Sequence, residues 1–254
     1  MNPLIQSSIQ LQNRMYSVVA NYLEPRGWLN EDPRDATGYL PWYTYPCISF
    51  LRDIIDPEWR VFEYGGGYST LYYRDRVREV VSIDHDLEWS QRVRKLDPRV
   101  QLRIVKAGDP ATESMQANLQ EFLDLGFTLP RTDNEQHDHH HGLANQEYAA
   151  YAGQLMLQPP GYYNVVAVDG MARSLCAYTA SKYVADDGFI ILDNADRYQY
   201  NDVQQYLISQ GYGRIDFWGT GPLNFWEWTT SVFSRRFGIV NRQIQRPHRA
   251  GPCI

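Results

Sequence analysis

The apolar residues of this chain form two alternating patterns, short continuous runs and helically spaced positions. Near-continuous apolar runs at 164–168 and 189–192 are typical of parallel strands that are covered on both faces. Between these runs Leu175 and Tyr178 recur at roughly helical spacing, and we expect Asp-Asp-Gly at 186–188 to close that helix. This strand–helix–strand order predicts an α/β fold with a parallel sheet.

The run at 61–70, Val-Phe-Glu-Tyr-Gly-Gly-Gly-Tyr-Ser-Thr, predicts a buried strand followed by a tight turn and a helix. Glycines let the backbone turn sharply and let a ligand lie directly against it. We expect Ser69 or Thr70 to cap the helix, whose free N–H groups then point to the same place. The run therefore predicts a ligand cradle at the carboxyl end of a strand, where open α/β sheets bind ligands.

Two other kinds of nucleotide-binding loop fit this run less well. A phosphate-binding loop ends in Gly-Lys followed by Ser or Thr, and no lysine follows Gly67. The dinucleotide loop of an NAD-linked oxidoreductase has a small third residue at the place that Thr70 occupies. That oxidoreductase stays an alternative, and nicotinamide binding would reveal it.

Acidic residues stand at the ends of four predicted strands: Glu63, Asp84, Asp169 and Asp193. The carboxyl ends of parallel strands lie at one edge of a sheet, so these acids are expected to converge. Their mutual repulsion would be costly without a ligand or cation. Asp84 follows the glycines by about 20 residues, which suits the two hydroxyls of a ribose. The alternative for Asp84 is to cap the following helix, a role that Asp86 fits well.

Together these motifs resemble class I S-adenosylmethionine-dependent methyltransferases, and the resemblance covers residues 61–234. It rests on Glu-x-Gly-x-Gly, on Asp84, on the Gly-Asp pair at 108–109 and on the later strand-end acids. It implies a Rossmann-like, seven-stranded, mostly parallel sheet with helices on both faces, whose antiparallel last strand forms a hairpin with its neighbour. The Gly-Asp pair would meet the adenine, although an ordinary turn is the alternative there. The cofactor-binding residues implied are Glu63, Gly65, Gly66, Gly67, Ser69, Asp84 and Asp109.

The phrases Val-Asp-Gly and Leu-Asp-Asn are similar to those of small-molecule O-methyltransferases of this class. In the catechol and caffeoyl-CoA types such residues hold a divalent metal, and the matching positions here are Asp169, Asp193 and Asn194. Oxygen ligands suit Mg²⁺ or Ca²⁺. The resemblance also places Asp169, as the catalytic residue, where methyl donor and acceptor meet. One departure is that the lysine base of the catechol type is replaced by Ala172, with Arg173 next.

Arginine stays protonated and is a poor base. A catechol-type mechanism with its own lysine is therefore not expected. The alternative to a metal site is that Asp193 and Asn194 cap a turn, while Asp196 and Arg197 pair locally. A rival function follows from the missing lysine, namely a methyltransferase-like binding or scaffold protein that has lost catalysis.

We expect two parts in the chain: an amino-terminal helical and aromatic extension over residues 1–55 that covers the active site, and a methyltransferase domain over 56–254. The domain carries an insertion at about 110–150, whose His-rich tract at 137–141 is interpreted as a solvated loop. The aromatic residues of the extension, Trp42 and Tyr43 among them, line the acceptor pocket or pack on the core. The same alternatives hold for Trp226 and Trp228, which line the pocket or stabilise a hairpin.

Composition restricts the partners and the location. The net charge is −6 with no basic stripe, which argues against nucleic acid. No apolar stretch approaches the roughly 20 residues of a membrane span, and the amino terminus has no secretory signal pattern. Three scattered cysteines fit a reducing compartment. We therefore predict a cytoplasmic methyltransferase that acts on a small-molecule acceptor by O-methylation. A homodimer is the oligomeric state to test.

Overall fold

The computed structural model describes residues 34–127, 146–222 and 226–237. Two features named above lie outside these ranges: the helical part of the amino-terminal extension and the His-rich tract at 137–141. None of the described helices is long and apolar enough to cross a membrane.

A seven-stranded sheet forms the centre of the structure. A short antiparallel pair, β1 (Arg34–Asp35) and β2 (Gly38–Tyr39), precedes it. The strands of the sheet are β3 (Arg60–Tyr64), β4 (Glu79–Asp84), β5 (Gln101–Ile104), β6 (Tyr163–Val168), β7 (Val184–Leu192), β8 (Gly213–Gly219) and β9 (Trp228–Ser234). Their spatial order is β5-β4-β3-β6-β7-β9-β8, and only β9 runs antiparallel to its neighbours. The predicted Rossmann-like fold with an antiparallel last strand is confirmed.

Helices connect the strands and cover the sheet. They are α1 (Tyr45–Ile54), α2 (Tyr68–Arg74), α3 (Leu87–Leu96), α4 (Glu113–Asp124), α5 (Ala149–Gly153), α6 (Arg173–Tyr183) and α7 (Asn201–Ser209). Short 3₁₀ turns follow at Gln154–Leu157, Tyr198–Tyr200 and Arg235–Phe237.

The central strands are apolar on both faces, because each face carries its own layer of helices. Phe62 and Val166 belong to the larger core with α5, α6 and α7, whereas the neighbouring Val61 and Val165 belong to the core with α1 and α2. Successive strand residues point to opposite faces. The continuous apolar runs in the sequence are therefore required by burial on both sides.

One element boundary differs from the prediction. Residues 186–188 do not close a helix; α6 ends at Tyr183 and these residues lie within β7. The pairing of β6 with β7 shifts register between Tyr163 and Val165, and a Cβ at Gly188 would stand 2.5 Å from the carbonyl oxygen of Asn164. Glycine is thus needed for the close approach of the two strands, and not for a helix end.

Candidate active site

The glycine loop after β3 is held by the neighbouring strands. The backbone N–H groups of Gly65 and Gly66 both donate to the carbonyl oxygen of Ile83 at the end of β4, at 2.9 and 3.0 Å. Gly65 has φ +90°, and a Cβ there would stand 2.6 Å from the backbone nitrogen of Gly170. Only glycine fits this position, because backbone atoms on the far side cannot move aside as a side chain can.

The helix after the loop begins two to three residues earlier than a Ser69 or Thr70 cap would require. Gly67 is the N-cap of α2, so Ser69 and Thr70 lie in its first turn. The Thr70 hydroxyl instead reaches back, accepting from the Gly67 N–H at 2.9 Å and donating to Glu63 Oε2 at 2.5 Å. Thr70 therefore ties the loop to the strand acid, a role that a smaller residue in a dinucleotide loop would not provide.

Glu63 is completely buried beneath this loop. Its Oε2 also accepts from the Ser82 hydroxyl at 2.6 Å, whereas Oε1 is buried with no hydrogen-bond partner among the described residues. Burial raises the pKa of Glu63 to about 7, against the lowering effect of its hydroxyl neighbours. The hydroxyl of Ser69, which also lowers the pKa of Glu63, a water molecule and a ligand group are the donors that would satisfy this oxygen.

The raised pKa of Glu63 predicts a pH dependence of stability. The unfolded carboxyl ionises near 4.5 and the folded one near 7, so between these values the folded state holds more protons. The free energy of unfolding then falls as pH rises through this window, by about 3 kcal/mol in total. Glu63→Gln mimics the neutral acid. Its stability relative to the wild type, measured by urea unfolding, should rise by about that amount from pH 4.5 to pH 7.5. A difference that does not change with pH would contradict the shift.

Asp84 stands at the end of β4, beside the loop, and is only 6% exposed. Its Oδ1 accepts from the Asp86 N–H at 2.8 Å and lies 3.2 Å from His85 Nδ1. Asp86 in turn caps α3 by accepting from the Trp89 N–H at 3.0 Å, as the sequence predicted. The hydrogen bond with Asp84 raises the pKa of His85. The capping function thus falls to Asp86, and Asp84 points its carboxylate to the pocket.

A single pocket brings these features together at the carboxyl edge of β4, β3 and β6. Among its lining residues are Gly65, Gly66, Gly67, Ser69, Asp84 and Asp169. Of the other strand-end acids, Glu63 is buried beneath the glycine loop and Asp193 lies behind Arg173, and neither lines the space. Six of the eight residues proposed for the cofactor and for catalysis therefore line one space.

Aromatic rings form one wall of this pocket. Trp42, Tyr68 and Trp89 lie with ring centroids 5.3–5.9 Å apart, and all three line the space. The indole Nε1 of Trp89 donates to the carbonyl oxygen of Gly66 at 2.8 Å, which fixes the ring on the loop. Tyr43, the next residue after Trp42, is fully buried in the core. Of the two alternatives for the amino-terminal aromatic residues, Trp42 therefore lines the pocket and Tyr43 packs in the core.

Asp109 does not reach the pocket. Its carboxylate accepts from the Lys106 N–H at 2.7 Å and closes its own turn after β5. It is not among the residues that line the space. The alternative to an adenine contact, an ordinary turn, describes this residue better.

Asp169 follows β6 and faces the pocket beside Arg173. The Arg173 guanidinium, through Nη2, lies 2.9 Å from Asp169 Oδ1. Burial raises the pKa of Asp169 well above its usual value, and the charge of Arg173 opposes that shift. Asp169 is thus an acid with one oxygen engaged by a cation, and its side chain keeps 19% of its exposure.

Asp193 follows β7 and is held from the antiparallel strand β9. Its Oδ1 accepts from Trp228 Nε1 at 2.9 Å and from the Thr230 hydroxyl at 2.6 Å. Trp228 therefore stabilises the end of the sheet and does not line the pocket. Asp196 does not pair with Arg197 by direct contact; its Oδ1 accepts from the Thr229 N–H at 3.0 Å.

The predicted metal ligands come together, but around a guanidinium. Arg173 Nη1 donates to Asn194 Oδ1 at 3.0 Å, and the same group contacts Asp169. Asp193 Oδ1 is already engaged by Trp228 and Thr230. Within the described residues no group of three or more His, Cys, Asp or Glu side chains is arranged to hold a metal ion. The donor set does not fit Mg²⁺, because a second cation would lie beside a fixed one.

Arg173 is the residue whose role the sequence did not reveal. Asp169 and Arg173 stand four residues apart, but Asp169 precedes α6, so the helical i, i+4 spacing does not predict their contact. Met171 and His85 also line the pocket and were not predicted as site residues.

The sequence matches no protein-family model and no curated protein. Among solved structures, a methyltransferase-like protein from Silicibacter pomeroyi is 17% identical with a TM-score of 0.44, over 80% of this chain and 89% of that one. A methyltransferase from Geobacter sulfurreducens is 11% identical, with a TM-score of 0.43 over 87% and 88%. A TehB-like SAM-dependent methyltransferase from Corynebacterium glutamicum is 12% identical, with a TM-score of 0.41 over 89% and 98%.

At these identities and TM-scores the likeness does not assign a function. The function must come from the chemistry of the residues in this chain.

Proposed function

We propose that this protein is an S-adenosylmethionine-dependent methyltransferase that methylates an oxygen of a small-molecule acceptor. The observation that carries the proposal is one pocket that joins a glycine loop, a ribose-type acid and a strand-end acid on three adjacent parallel strands. Ligands of open α/β sheets bind outside the carboxyl ends of the strands, which is where this pocket lies.

The described residues suit the polar groups of S-adenosylmethionine. Asp84 would accept from the two ribose hydroxyls, since its carboxylate faces the pocket. The backbone of Gly65 to Gly67 offers a surface free of side chains against which the methionine part can lie. Glu63 does not line the pocket, so its unpartnered Oε1 would accept from the ammonium group through a water molecule.

The chemistry needs alignment and a proton acceptor, and no protein nucleophile. S-adenosylmethionine supplies the methyl group: its C–S bond breaks as the acceptor O–C bond forms, and S-adenosylhomocysteine leaves. Asp169, at the edge of the pocket, would take the proton that the acceptor oxygen loses. Its pKa is raised by burial, which makes its carboxylate a stronger base than an exposed one.

The walls of the pocket restrict the acceptor. Trp42 and Met171 line the space and offer apolar contact, so we propose a small acceptor with an apolar or aromatic body. Trp42 belongs to the amino-terminal extension, which in this proposal covers the acceptor.

Calorimetry with S-adenosylhomocysteine tests the first part of the proposal. The wild type should bind it with one site per chain, and NAD should not compete. A panel of phenols and other small hydroxyl compounds, with a radiolabelled methyl donor, tests the second part. Binding without transfer to any acceptor would favour a methyltransferase-like binding protein, and absence of binding would refute the cofactor.

A further inference from the structure

The guanidinium of Arg173 has no donor left for a substrate. Nε donates to Gly170 O at 3.0 Å, Nη1 to Asp193 O and Asn194 Oδ1 at 2.7 and 3.0 Å, and Nη2 contacts Asp169 through O and Oδ1 at 3.1 and 2.9 Å. Arginine carries five N–H groups, one on Nε and two on each Nη, and each has an oxygen here. Arg173 is also only 7% exposed.

These oxygens come from the two loops that follow β6 and β7. Asp169 and Gly170 lie in the first loop, and Asp193 and Asn194 lie in the second. Among them are the side-chain oxygens of Asp169 and Asn194, which a divalent cation between these strands would need as ligands. Arg173 thus joins two neighbouring strand ends with a single positive charge, at the place where the acids would otherwise repel one another.

The position of Arg173 is unfavourable for local structure. It is the first residue of α6, where the positive end of the helix dipole disfavours a cation. Its N-cap is Ala172 with φ +47° and no side-chain cap, and Asn194 has φ +53°. These are the two non-glycine residues with positive φ in the described chain. Strained backbone concentrates at functional sites, and buried charge is often replaceable by apolar residues at no loss of stability.

We propose that Arg173 is a built-in cation that takes the place of a divalent metal, so that this site works without Mg²⁺ and holds Asp169 in one orientation. With Oδ1 fixed on the guanidinium, the rest of the Asp169 carboxylate is directed to the pocket. Arg173 is in this sense a positioning residue, and its role in orienting Asp169 for catalysis rests on the proposed function. The statement that Arg173 replaces a metal ion does not rest on it, because metal binding can be measured without cofactor or acceptor.

Titration with Mn²⁺, followed by the EPR signal of the free ion, tests the proposal on the full chain. In the wild type we expect no Mn²⁺ binding that depends on Asp193, so Asp193→Asn should leave the titration curve unchanged. Arg173→Ala should gain a Mn²⁺ site, with an affinity at least about tenfold above any residual binding by the wild type, since carboxylate and amide oxygens then face an open space. Adding Asp193→Asn to Arg173→Ala should abolish the gained site.

Arg197→Ala is the matched control. It removes the same charge near Asp169 and Asp193, whose pKa values feel Arg197, but vacates none of the contacts described above. It should gain no Mn²⁺ site. Wild-type Mn²⁺ binding that Asp169→Asn or Asp193→Asn weakens would overturn the proposal, and so would a folded Arg173→Ala with no gain. If Arg173→Ala does not fold, the wild-type titration still decides, because Mn²⁺ binding that depends on Asp169 or Asp193 would overturn the proposal. S-adenosylhomocysteine affinity, measured separately, reports on the proposed function.

Discussion

Replacement of Asp84 by alanine is expected to weaken S-adenosylhomocysteine binding by about 100-fold or more. A hydrogen bond to a charged group contributes about 1.5–3 kcal/mol, and the ribose offers two hydroxyls to this carboxylate. The loss of both bonds corresponds to at least about 3 kcal/mol, which is more than a factor of 100 in affinity. Isothermal titration calorimetry at pH 7.5 measures the change directly.

Asp86→Ala is the control for this substitution. Asp86 lies two residues away and caps α3 through the Trp89 N–H, but it does not line the pocket. Its loss should cost about 1 kcal/mol of stability and leave the affinity for S-adenosylhomocysteine unchanged. If both variants lose affinity equally, the effect comes from α3, and the ribose role of Asp84 is wrong.

The fold and one edge of the site were predictable because they depend on local pattern. Continuous apolar runs mark strands that are covered on both faces, and a strand in a parallel sheet ends at the same edge as its neighbours. Asp84, Asp169 and the loop at Gly65 therefore had to lie together once the strands were recognised, and they line one pocket.

The remaining features depend on distances between segments that are remote in sequence. The contacts of Arg173 require β6 to pair with β7 and Asn194 to adopt positive φ, and no pattern around Arg173 specifies either. The direction of the Thr70 hydroxyl, back to Gly67 and Glu63, is likewise set by where α2 begins. Acids at strand ends predicted a ligand or a cation, but the sequence alone did not distinguish a bound metal from an arginine side chain.

Gly65→Ala is expected to produce the largest loss of stability of any single methyl addition in the glycine loop. The residue has φ +90°, which costs a non-glycine residue about 1–3 kcal/mol. The added Cβ would also stand 2.6 Å from Gly170 N and 2.7 Å from both the carbonyl carbon and oxygen of Asp169. Strain and overlap together should lower the free energy of unfolding by about 3 kcal/mol or more, as measured by urea unfolding.

Gly67→Ala is the control for Gly65→Ala, because it adds the same methyl group to the loop without the positive φ or the close backbone contact. Gly67 has extended φ of −169°, and a Cβ there would meet the Trp89 ring at 3.5 Å, an ordinary contact. The fold should therefore tolerate Gly67→Ala with a change of about 1 kcal/mol or less in the free energy of unfolding.

Because Gly65 touches the loop that carries Asp169, Gly65→Ala should also separate the two halves of the pocket and remove S-adenosylhomocysteine binding. Equal stability of the two variants would show that the approach of Gly65 to Gly170 does not hold the cofactor half and the acid half of the site together.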